Sequence, residues 1–505
     1  MADVLTTSIT HEGWKGWRRY PLVLALAFML VMFFFFPYRE RFEFDQDEGV
    51  EAMKALLLAR GYPLYSEVWS EQPPLFTYLL AAFFRVFGPD IDIARSFVVL
   101  LSTLLLAASA QLLGSTWGSL HAIAGVVLIF LLPFYTTLSA SVMVGLPAIA
   151  LAVLSLLALT TWHSRRQERW LLLSALVLGL SVLTKLFTAF LAPIFVLGIL
   201  LDERGREKGA LSWVKPVRPA LLWCLVFVMI VLGSGVPLIG PENLRQLLST
   251  HLLASQSQAY IGSVIAQPIS WHLRDAWPIL LLVLPGSVFV LLRRRWISLY
   301  LLAWALVAYV SLSFYAPVWY HHQLLVTIPA ALLAAIAAGE ALQLVPRIIS
   351  SHAFLSTNAF LAALTLTGFI VTLLNRAPLV VPDFYRPPVF VTHAAHAPWP
   401  EQVFLTKMTN HAPETHWVVT DLPMYAFRVG LLVPPYLAVS STKRRSTGEL
   451  TEQQFIAIIE EYKPEQVLIG RSTYPEIEKY LEQDYRVLYT RGKRLLYLRK
   501  DLKGQ

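Results

Sequence analysis

The sequence has little charge and almost no cysteine. Of its 505 residues only 15% are charged and 56% are hydrophobic, whereas soluble proteins have about 25% charged residues. This composition excludes an ordinary soluble enzyme. The single cysteine, Cys224, lies in an apolar stretch, so the chain forms no internal disulfide and no thiolate metal cluster. The net charge of +8 comes from basic residues in short loops between apolar stretches, which favours a lipid bilayer over nucleic acid as partner.

Apolar stretches long enough to cross a bilayer recur along the first 375 residues. Nine are uninterrupted: 20–37, 95–115, 119–139, 142–162, 219–238, 277–292, 297–315, 323–345 and 354–374. The stretch 170–201 is too long for one span, and Lys185 interrupts it, so we predict two short helices that meet near Lys185. The first stretch has no small-residue cleavage site and is interpreted as a retained anchor. The sequence therefore predicts an α-helical polytopic membrane domain over 1–375 with about eleven spans.

The distribution of Lys and Arg predicts the orientation of these spans. Basic residues precede the first span and fill the loops 163–169, 202–218 and 293–295. The loops around 134–141 and 315–322 contain no Lys or Arg. With eleven spans, all basic loops lie on one side, which the positive-inside rule assigns to the cytoplasm. We therefore predict a multi-pass protein of the plasma (inner) membrane with a cytoplasmic N-terminus. The first loop 38–94, the loop 239–276 and the C-terminal region are then external, which in a bacterium means periplasmic.

The C-terminal region 376–505 has the composition of a soluble domain. Its patterns predict strands at 416–421, 466–469, 486–491 and 494–499, and helices at 451–463 and 474–484. This alternation of strand and helix indicates a small α/β domain. No glycine-rich phosphate loop opens its helices. We therefore expect the domain to shape or cover an active site and not to bind a nucleotide.

The first external loop begins with an acidic cluster. Six acidic residues stand between positions 40 and 51, directly after the first span. The ordinary interpretation of such a cluster is a solvated loop. Here, however, Asp47 and Glu48 are placed to begin a helix, where the macrodipole favours carboxylates and holds them in position. Pro73-Pro74 begins a second apolar segment suited to the membrane interface. The loop is therefore predicted to be a rigid platform that holds carboxylates at membrane level.

Carboxylates at this position suit glycosyl transfer from a lipid phosphate. Asp47 would accept the proton of an acceptor hydroxyl as it attacks a sugar whose transition state resembles an oxocarbenium ion. Glu48, its neighbour, is predicted as a second catalytic residue. The leaving phosphate needs fixed cations. Lys185 is the best candidate because ionisable residues among apolar helices are costly; the alternative is a lysine that extends to the interface. Arg245 and His251, in the next external loop, are weaker candidates for contact with the phosphate.

The segment Tyr320-His321-His322-Gln323 stands at the external end of the tenth predicted span. Adjacent histidines point in different directions on a helix, so the pair does not form a metal-binding face by itself. Two interpretations stay open. One of these side chains contacts the lipid phosphate or the sugar, or the segment is a polar cap beside an aromatic belt.

Several short motifs together resemble the C-type glycosyltransferase superfamily. They are Asp47-Glu48-Gly49, Gly61-Tyr62-Pro63-Leu64-Tyr65, Gln72-Pro73-Pro74-Leu75, Thr184-Lys185, and Tyr320-His321-His322-Gln323 followed by Pro329. More narrowly, the chain resembles bacterial relatives of the protein O-mannosyltransferases and the lipid A aminoarabinose transferase, over most of residues 20–345. The resemblance implies a polyprenyl-phosphate-linked sugar donor, an inverting reaction at an external site, and Asp47 of the Asp-Glu pair as catalytic carboxylate. It also implies that the lysine of the Thr-Lys motif lies near the donor phosphate.

The chain departs from this family pattern at two places. Gln72 stands where relatives often have a lysine that contacts phosphate. The stretch 142–147 lacks the second acidic residue that relatives often carry in the second external loop. Either Asp45 or Glu48 takes over that role, or the acceptor needs no second carboxylate. A divalent metal, found in some relatives, stays an open alternative as cofactor.

Two other functions fit a polytopic membrane protein that handles lipid-linked sugars. A transporter or flippase would carry charged sites at mid-membrane and an internal repeat, but apart from Lys185 the spans contain almost no interior charge. A polysaccharide polymerase or ligase would place arginines in a large late loop, and 239–276 has only Arg245 and Arg274. A non-catalytic scaffold leaves the acidic loop unexplained. An enzyme at the interface is therefore favoured, with a protein, lipid or glycan as acceptor.

Overall fold

The chain folds into a helical membrane part and a small α/β part. The computed structural model describes residues 20–206, 214–247, 267–293, 296–351, 356–380, 401–472 and 474–502. The basic segment before the first span, the predicted candidate His251 and the start of the C-terminal region at 381–400 lie outside these residues.

The helices of the membrane part follow the predicted apolar stretches. In chain order they are α1 (Tyr20–Phe35), α2 (Gln46–Ala59), α3 (Leu75–Phe87), α4 (Ile91–Thr116), α5 (Ser119–Phe130), α6 (Tyr135–Ala140), α7 (Gly145–Arg165), α8 (Glu168–Thr184), α9 (Leu191–Arg206), α10 (Val214–Ile239), α11 (Ile269–Leu273), α12 (Trp277–Arg293), α13 (Trp296–Ser313), α14 (Leu324–Ser351) and α15 (Thr357–Val380). A helix occupies each of the eleven stretches predicted to span the bilayer.

Seven stretches among the described residues are helical, long and apolar enough to cross a membrane. They are Ile91–Thr116, Gly145–Arg165, Leu186–Glu203, Val217–Ile239, Ile269–Leu291, Tyr320–Ser350 and Ala359–Val380. Shorter apolar helices occur at Val23–Phe35, Leu75–Phe87, Ser119–Phe130 and Ser298–Ser313. The protein is therefore a mostly helical multi-pass membrane protein. The total of eleven spans and the sidedness of the loops stay predictions.

Two breaks in the helices are set by single residues. α8 ends at Thr184, and Lys185 is extended, with φ −154° and ψ 125°, before a 3₁₀ turn at Leu186–Phe190. The predicted break at Lys185 is therefore confirmed. The stretch 119–139 was predicted as one helix, and this is wrong: α5 ends at Phe130 and α6 follows as a separate turn. Pro133 lies between them, and proline supplies no amide hydrogen and disfavours helical geometry at the residue before it.

The C-terminal part is built on a four-stranded sheet of order β1-β2-β4-β3. Its elements are α16 (Gln402–Asn410), β1 (Val418–Thr420), α17 (Pro423–Val429), α18 (Thr442–Ser446), α19 (Glu452–Tyr462), β2 (Gln466–Ile469), α20 (Pro475–Asp484), β3 (Tyr485–Arg491) and β4 (Arg494–Arg499). β1 pairs parallel to β2, and β4 pairs antiparallel to both β2 and β3. The four predicted strands and two predicted helices are all observed, so the small α/β fold is confirmed.

The C-terminal part packs directly on the first loop. α17 approaches α2 so closely that a Cβ added at Gly49 would lie 2.4 Å from the backbone nitrogen of Met424. The rings of Phe42 and Tyr425 are 4.7 Å apart, and Arg428 donates hydrogen bonds to the carbonyl of Phe42. Buried side chains of the first loop and of the C-terminal sheet belong to one hydrophobic core. This shared core holds the C-terminal part over the N-terminal end of α2.

Candidate active site

A cavity of about 260 Å³ lies where the first loop, the ends of the membrane helices and the C-terminal part meet. Its acidic lining residues are Asp45, Asp47, Glu51 and Glu71. Its basic lining residues are Lys54, Lys185, Lys443 and Arg471. Four carboxylates therefore face four cations in a recess that solvent can enter.

Asp47 lies in the first turn of α2 and presents its carboxylate to this cavity. The side chain is 47% exposed, although it stands deep within the protein, because the cavity itself is open. Burial, with a contribution from neighbouring Asp45, raises the pKa of Asp47 to about 6. Arg471 opposes this rise, with its guanidinium nitrogen 3.8 Å from the carboxylate oxygen. Asp47 is therefore largely ionised at neutral pH and still basic enough to accept a proton.

Asp45 fixes the start of α2. Its backbone is extended, with φ −149° and ψ 150°, and its Oδ1 accepts a hydrogen bond of 2.8 Å from the amide of Asp47, as an N-cap residue does. Its Oδ2 accepts a hydrogen bond of 2.9 Å from the hydroxyl of Tyr320. Tyr320, predicted to bind the donor, thus lines the cavity while it holds the N-cap. Asp45 therefore holds the backbone of Asp47 at the start of α2.

Glu48, predicted as catalytic together with Asp47, does not line the cavity. Its side chain is fully buried, and its Oε2 is 2.8 Å from a guanidinium nitrogen of Arg95, which is also fully buried. The same carboxylate accepts hydrogen bonds from the amides of Phe44 and Val142. These contacts indicate that Glu48 positions the start of α2, and its catalytic role stays a prediction. Adjacent helical residues point about 100° apart, so Glu48 faces inward where Asp47 faces the cavity.

Sequence reasoning missed Arg95, at the start of α4. Its guanidinium donates to the carbonyls of Tyr38, Arg41 and Phe42 in addition to Glu48. A buried charge of this kind is stable only when it is paired and fully hydrogen-bonded. Arg95 therefore ties the segment before α2 to the membrane helices. The one feature of the sequence that pointed to it is an arginine beside an apolar span.

Lys185 reaches the cavity from the break between α8 and α9. Its Nζ stands 5.5 Å from the centre of the Phe187 ring. It also lies beside Gly145, where an added Cβ would be 3.6 Å from the ammonium nitrogen. Because α8 ends one residue earlier, the lysine side chain extends into the cavity and not along a helix.

The remaining predicted residues divide into two groups. Gln72, His321 and His322 line the cavity. His322 is already engaged, since its Nδ1 accepts a hydrogen bond of 3.1 Å from the amide of Trp319. The Nδ1 of His321 is buried and has no hydrogen-bond partner. Arg245 is exposed and is not among the described lining residues, and its contact with the phosphate stays a prediction.

The C-terminal part contributes two cations that sequence reasoning did not find, Lys443 and Arg471. Asp421, at the end of β1, accepts the amides of Gly470 and Arg471 and the hydroxyl of Tyr474, which fixes the turn that carries Arg471. Lys443 lies on α18, which begins at an N-cap serine. The expectation that this domain shapes the site agrees with its position, but no local motif marked these two side chains.

Arg444 holds α18 against the first loop. Its guanidinium lies 4.3 Å from the ring centre of Trp69 and 4.1 Å from that of Tyr436. Val439 packs in the same small cluster with Val50 and Trp69. Stacking of a buried arginine on aromatic rings is a favourable contact. The position of Lys443 is therefore fixed by contacts on either side of it.

Glu51 and Lys54 form a second pair that sequence reasoning missed. Glu51 follows Asp47 by one helical turn, and its Oε1 is 2.8 Å from the Nζ of Lys54. Their side chains are 7% and 1% exposed. Burial raises the pKa of Glu51, and Lys54 opposes that rise. Both residues line the cavity.

The donor groups of the cavity do not suit a divalent metal. Within the described ranges, no three His, Cys, Asp or Glu side chains converge closely enough to hold a metal ion. Asp45 accepts the Asp47 amide and the Tyr320 hydroxyl, and Glu51 is paired with Lys54. The stretch 142–147 adds apolar side chains and backbone to the wall, but no carboxylate.

A second cavity, of about 230 Å³, adjoins the first and is apolar. Phe187 and Tyr315 line both cavities. Its other lining residues include Phe190, Leu312 and Leu325, which belong to the membrane helices and their connections. The charged cavity therefore borders an apolar recess across a shared aromatic wall.

Residues 71–233 match the family of dolichyl-phosphate-mannose-protein mannosyltransferases. No curated protein sequence matches the chain. Among solved structures, ArnT from Cupriavidus metallidurans bound to undecaprenyl phosphate is similar, with a TM-score of 0.62 and 16% identity over 95% of this chain and 98% of that chain. The apo state of the same protein gives a TM-score of 0.59 and 16% identity over 95% of this chain and 97% of that chain.

An oligosaccharyltransferase from Archaeoglobus fulgidus, solved with Zn and sulfate, is similar at a TM-score of 0.51 and 11% identity. That likeness covers 89% of this chain and 68% of that chain. At these identities the solved structures establish the fold. They confirm the resemblance that the motifs predicted: the chain has the fold of the C-type membrane glycosyltransferases and contains a segment that matches their mannosyltransferase family.

Proposed function

We propose that this chain is a membrane glycosyltransferase that transfers a sugar from a polyprenyl-phosphate-linked donor to a hydroxyl acceptor at the external face, with inversion. The observation that carries the proposal is the pairing of two cavities. One holds Asp47 with the cations Lys185, Lys443 and Arg471, and the other is apolar and borders it. A lipid-linked sugar phosphate needs a base, fixed cations and an apolar path for its tail.

Asp47 is the proposed general base. Its pKa of about 6 leaves it mostly ionised at neutral pH, which suits a group that must accept a proton during the reaction. The acceptor oxygen forms a bond to the anomeric carbon while the bond from that carbon to the phosphate oxygen breaks. The acceptor proton passes to Asp47, and the polyprenyl phosphate leaves with the bonding electrons. A single displacement of this kind inverts the anomeric configuration.

The three cations are proposed to bind the leaving phosphate. Their positive charge acts on the charge that develops as the phosphate leaves, and the side chains are already held in place before the reaction. Lys443 and Arg471, from the C-terminal part, supply the positive charge that Gln72 does not provide. Arg471 also contacts Asp47 at 3.8 Å, so the same guanidinium orients the base.

The apolar cavity is proposed to receive the start of the polyprenyl tail. Its polar surface is small, and Phe187 and Tyr315 separate it from the charged groups. The likeness to an ArnT structure bound to undecaprenyl phosphate supports this choice of lipid. The predicted topology places the site on the external side, with the N-terminus in the cytoplasm and the C-terminal part outside.

The proposal is tested by transfer from a panel of radiolabelled polyprenyl-phosphate sugars with the purified protein, its Asp47→Asn variant and an Asp90→Asn control. Asp90 is an exposed N-cap residue in the same loop, and asparagine caps helices as well as aspartate does. We expect turnover in the wild type and in the control, and none in Asp47→Asn.

Two outcomes would contradict the proposal. Equal turnover in Asp47→Asn and the wild type would remove Asp47 from the chemistry. Tight binding of the lipid-linked sugar with no transfer by the wild type to any hydroxyl acceptor supplied would favour a transporter. Thermal unfolding of all three proteins in the same detergent shows whether the substitution has changed the fold.

A further inference from the structure

Glu51 carries a buried carboxylate oxygen that the proposed reaction does not use. Glu51 and Asp47 are four residues apart on α2, so their side chains lie on the same face of the helix, and both line the cavity. The Oε1 of Glu51 accepts a hydrogen bond from Lys54. Its Oε2 is buried and has no hydrogen-bond partner.

An unpaired oxygen on a buried carboxylate calls for an explanation, because buried polar atoms are nearly always hydrogen-bonded. Lys54, itself buried, keeps the charge of Glu51 compensated and fixes the orientation of the carboxylate. The second oxygen is therefore the acceptor that Glu51, a lining residue of the cavity, has left for a ligand.

Asp45 and Glu48, the two residues that the sequence suggested as a second carboxylate, are already occupied. Each oxygen of Asp45 accepts a hydrogen bond, from Asp47 and from Tyr320. Glu48 is buried against Arg95 and lies outside the cavity. Of these three acidic residues, Glu51 alone lines the cavity and has a buried oxygen with no hydrogen-bond partner.

The position of Glu51 points to the donor side of the cavity. Lys185 lies close enough to lower the pKa of the Glu51 carboxyl, against the rise that burial causes. Lys185 is one of the cations proposed to bind the phosphate, and Asp47 is the base proposed to take the proton of the acceptor. The transferred sugar must lie between phosphate and base, and Glu51 lines the same cavity as Lys185 and Asp47.

We infer that Glu51 is a sugar-specificity residue: its free oxygen accepts a hydrogen bond from a hydroxyl or amino group of the transferred sugar. This inference rests on the proposed function. Lys54 acts through Glu51, as a positioning residue. A sugar that lacks a hydrogen-bond donor at the matching ring position is then a poor donor substrate.

The test compares the binding of two lipids, a polyprenyl-phosphate sugar that the wild type uses and the sugar-free polyprenyl phosphate. The amide oxygen of a glutamine at position 51 can still accept the hydrogen bond from Lys54. Its NH₂ group then takes the place of the free carboxylate oxygen and cannot accept a hydrogen bond from the ligand. We expect Glu51→Gln to weaken binding of the sugar-bearing lipid by about 10- to 100-fold, as loss of a hydrogen bond to a charged group does. Binding of the sugar-free lipid should not change.

Glu67→Gln is the matched control, because Glu67 is an exposed glutamate of the same loop, and it should bind both lipids like the wild type. Glu51→Gln leaves Lys54 without its anion, which can destabilise the fold. The double variant E51Q/K54M removes both charges together and should show the same selective loss. Thermal unfolding in detergent identifies the variant that retains the wild-type fold.

Deoxy analogues of the sugar provide a second readout. One deoxy analogue should bind the wild type more weakly than the complete sugar does. Its affinity should not fall further in Glu51→Gln. Equal weakening of both lipids, or of neither, would overturn the inference. A rise confined to the KM of the acceptor would overturn it as well and would place Glu51 at the acceptor. A wild type that binds neither lipid refutes the proposed function itself, which is a different result.

Discussion

Replacing Arg471 with glutamine should move the acid limb of the pH–rate profile to higher pH. In the wild type the base Asp47 has a pKa of about 6. The reaction needs its ionised form, so kcat/KM should fall as pH drops through about 6. Arg471 favours the ionised carboxylate and holds this pKa down. Without the guanidinium the pKa rises, and activity is lost at a higher pH.

The size of this shift follows from the distance. Two unit charges 3.8 Å apart interact by about 1 kcal/mol in water and about 4 kcal/mol at an effective dielectric constant of 20. The Asp47 side chain is 47% exposed, so the lower figure applies, as for other solvated pairs. Since one pKa unit corresponds to about 1.4 kcal/mol, we expect a shift of about 0.5 to 1 unit. At pH 6 the ionised fraction then falls from about one half to about 10–25%.

The assay is the initial rate of sugar transfer at low donor concentration between pH 5 and 8. Arg471→Gln will also lower the rate at all pH values if it contacts the phosphate, so the position of the limb is the informative quantity. Arg486→Gln changes an exposed arginine on β3 of the C-terminal part and should leave the acid limb where it is in the wild type. The reasoning would be refuted if the acid limb of the wild-type pH–rate profile lay near pH 4. It would also be refuted if the acid limb lay at the same pH in Arg471→Gln and in the wild type.

Four further variants test two elements that position the site and two cations proposed to bind the phosphate. Glu48→Gln breaks a fully buried ion pair with Arg95 and should cost about 3–5 kcal/mol of stability, measured by unfolding in detergent; unchanged stability would contradict the positioning role. Gly49→Ala places a Cβ 2.4 Å from the backbone of α17, so it should loosen the C-terminal part, seen as faster limited proteolysis and lower activity. Lys443→Ala should weaken binding of sugar-free polyprenyl phosphate by about 1–3 kcal/mol. Unchanged affinity would show that Lys443 does not bind the phosphate. Lys185→Ala tests the second cation in the same way.

Much of the fold could be predicted because its determinants are local. Apolar length placed the membrane helices, and Lys185 marked the break after α8, since a charge is costly within an apolar helix. Alternation of apolar residues placed the strands of the C-terminal sheet. The prediction of one helix over 119–139 failed because hydropathy does not register Pro133, which lies between α5 and α6.

The site could be predicted only in part. The helix-starting pattern indicated Asp47 as a functional carboxylate, but the same pattern indicated Glu48 equally. The two residues differ in their surroundings: Asp47 lines the cavity, and Glu48 pairs with Arg95. Arg95 lies 47 positions further along the chain, so no local pattern shows this difference. Glu51 could have been found from its four-residue spacing to Asp47, a spacing that places two side chains on one helical face.

Lys443 and Arg471, the cations of the C-terminal part, could not be predicted as site residues from the sequence, for a physical reason. Lys443 and Arg471 meet Asp47 only because α17 docks on α2 at Gly49. That contact joins segments almost 400 positions apart, and no local pattern encodes it. Gln72 lines the same cavity as these two cations, and under the proposed function they supply the charge that Gln72 does not provide.

The most direct test of the account is a structure of the Asp47→Asn variant with an unreacted polyprenyl-phosphate sugar. We expect the phosphate within hydrogen-bonding distance of Lys185, Lys443 and Arg471, the anomeric carbon facing position 47, and the tail in the apolar cavity behind Phe187. A donor whose phosphate lies away from these cations, or whose sugar points away from position 47, would contradict the assignment of this cavity as the active site.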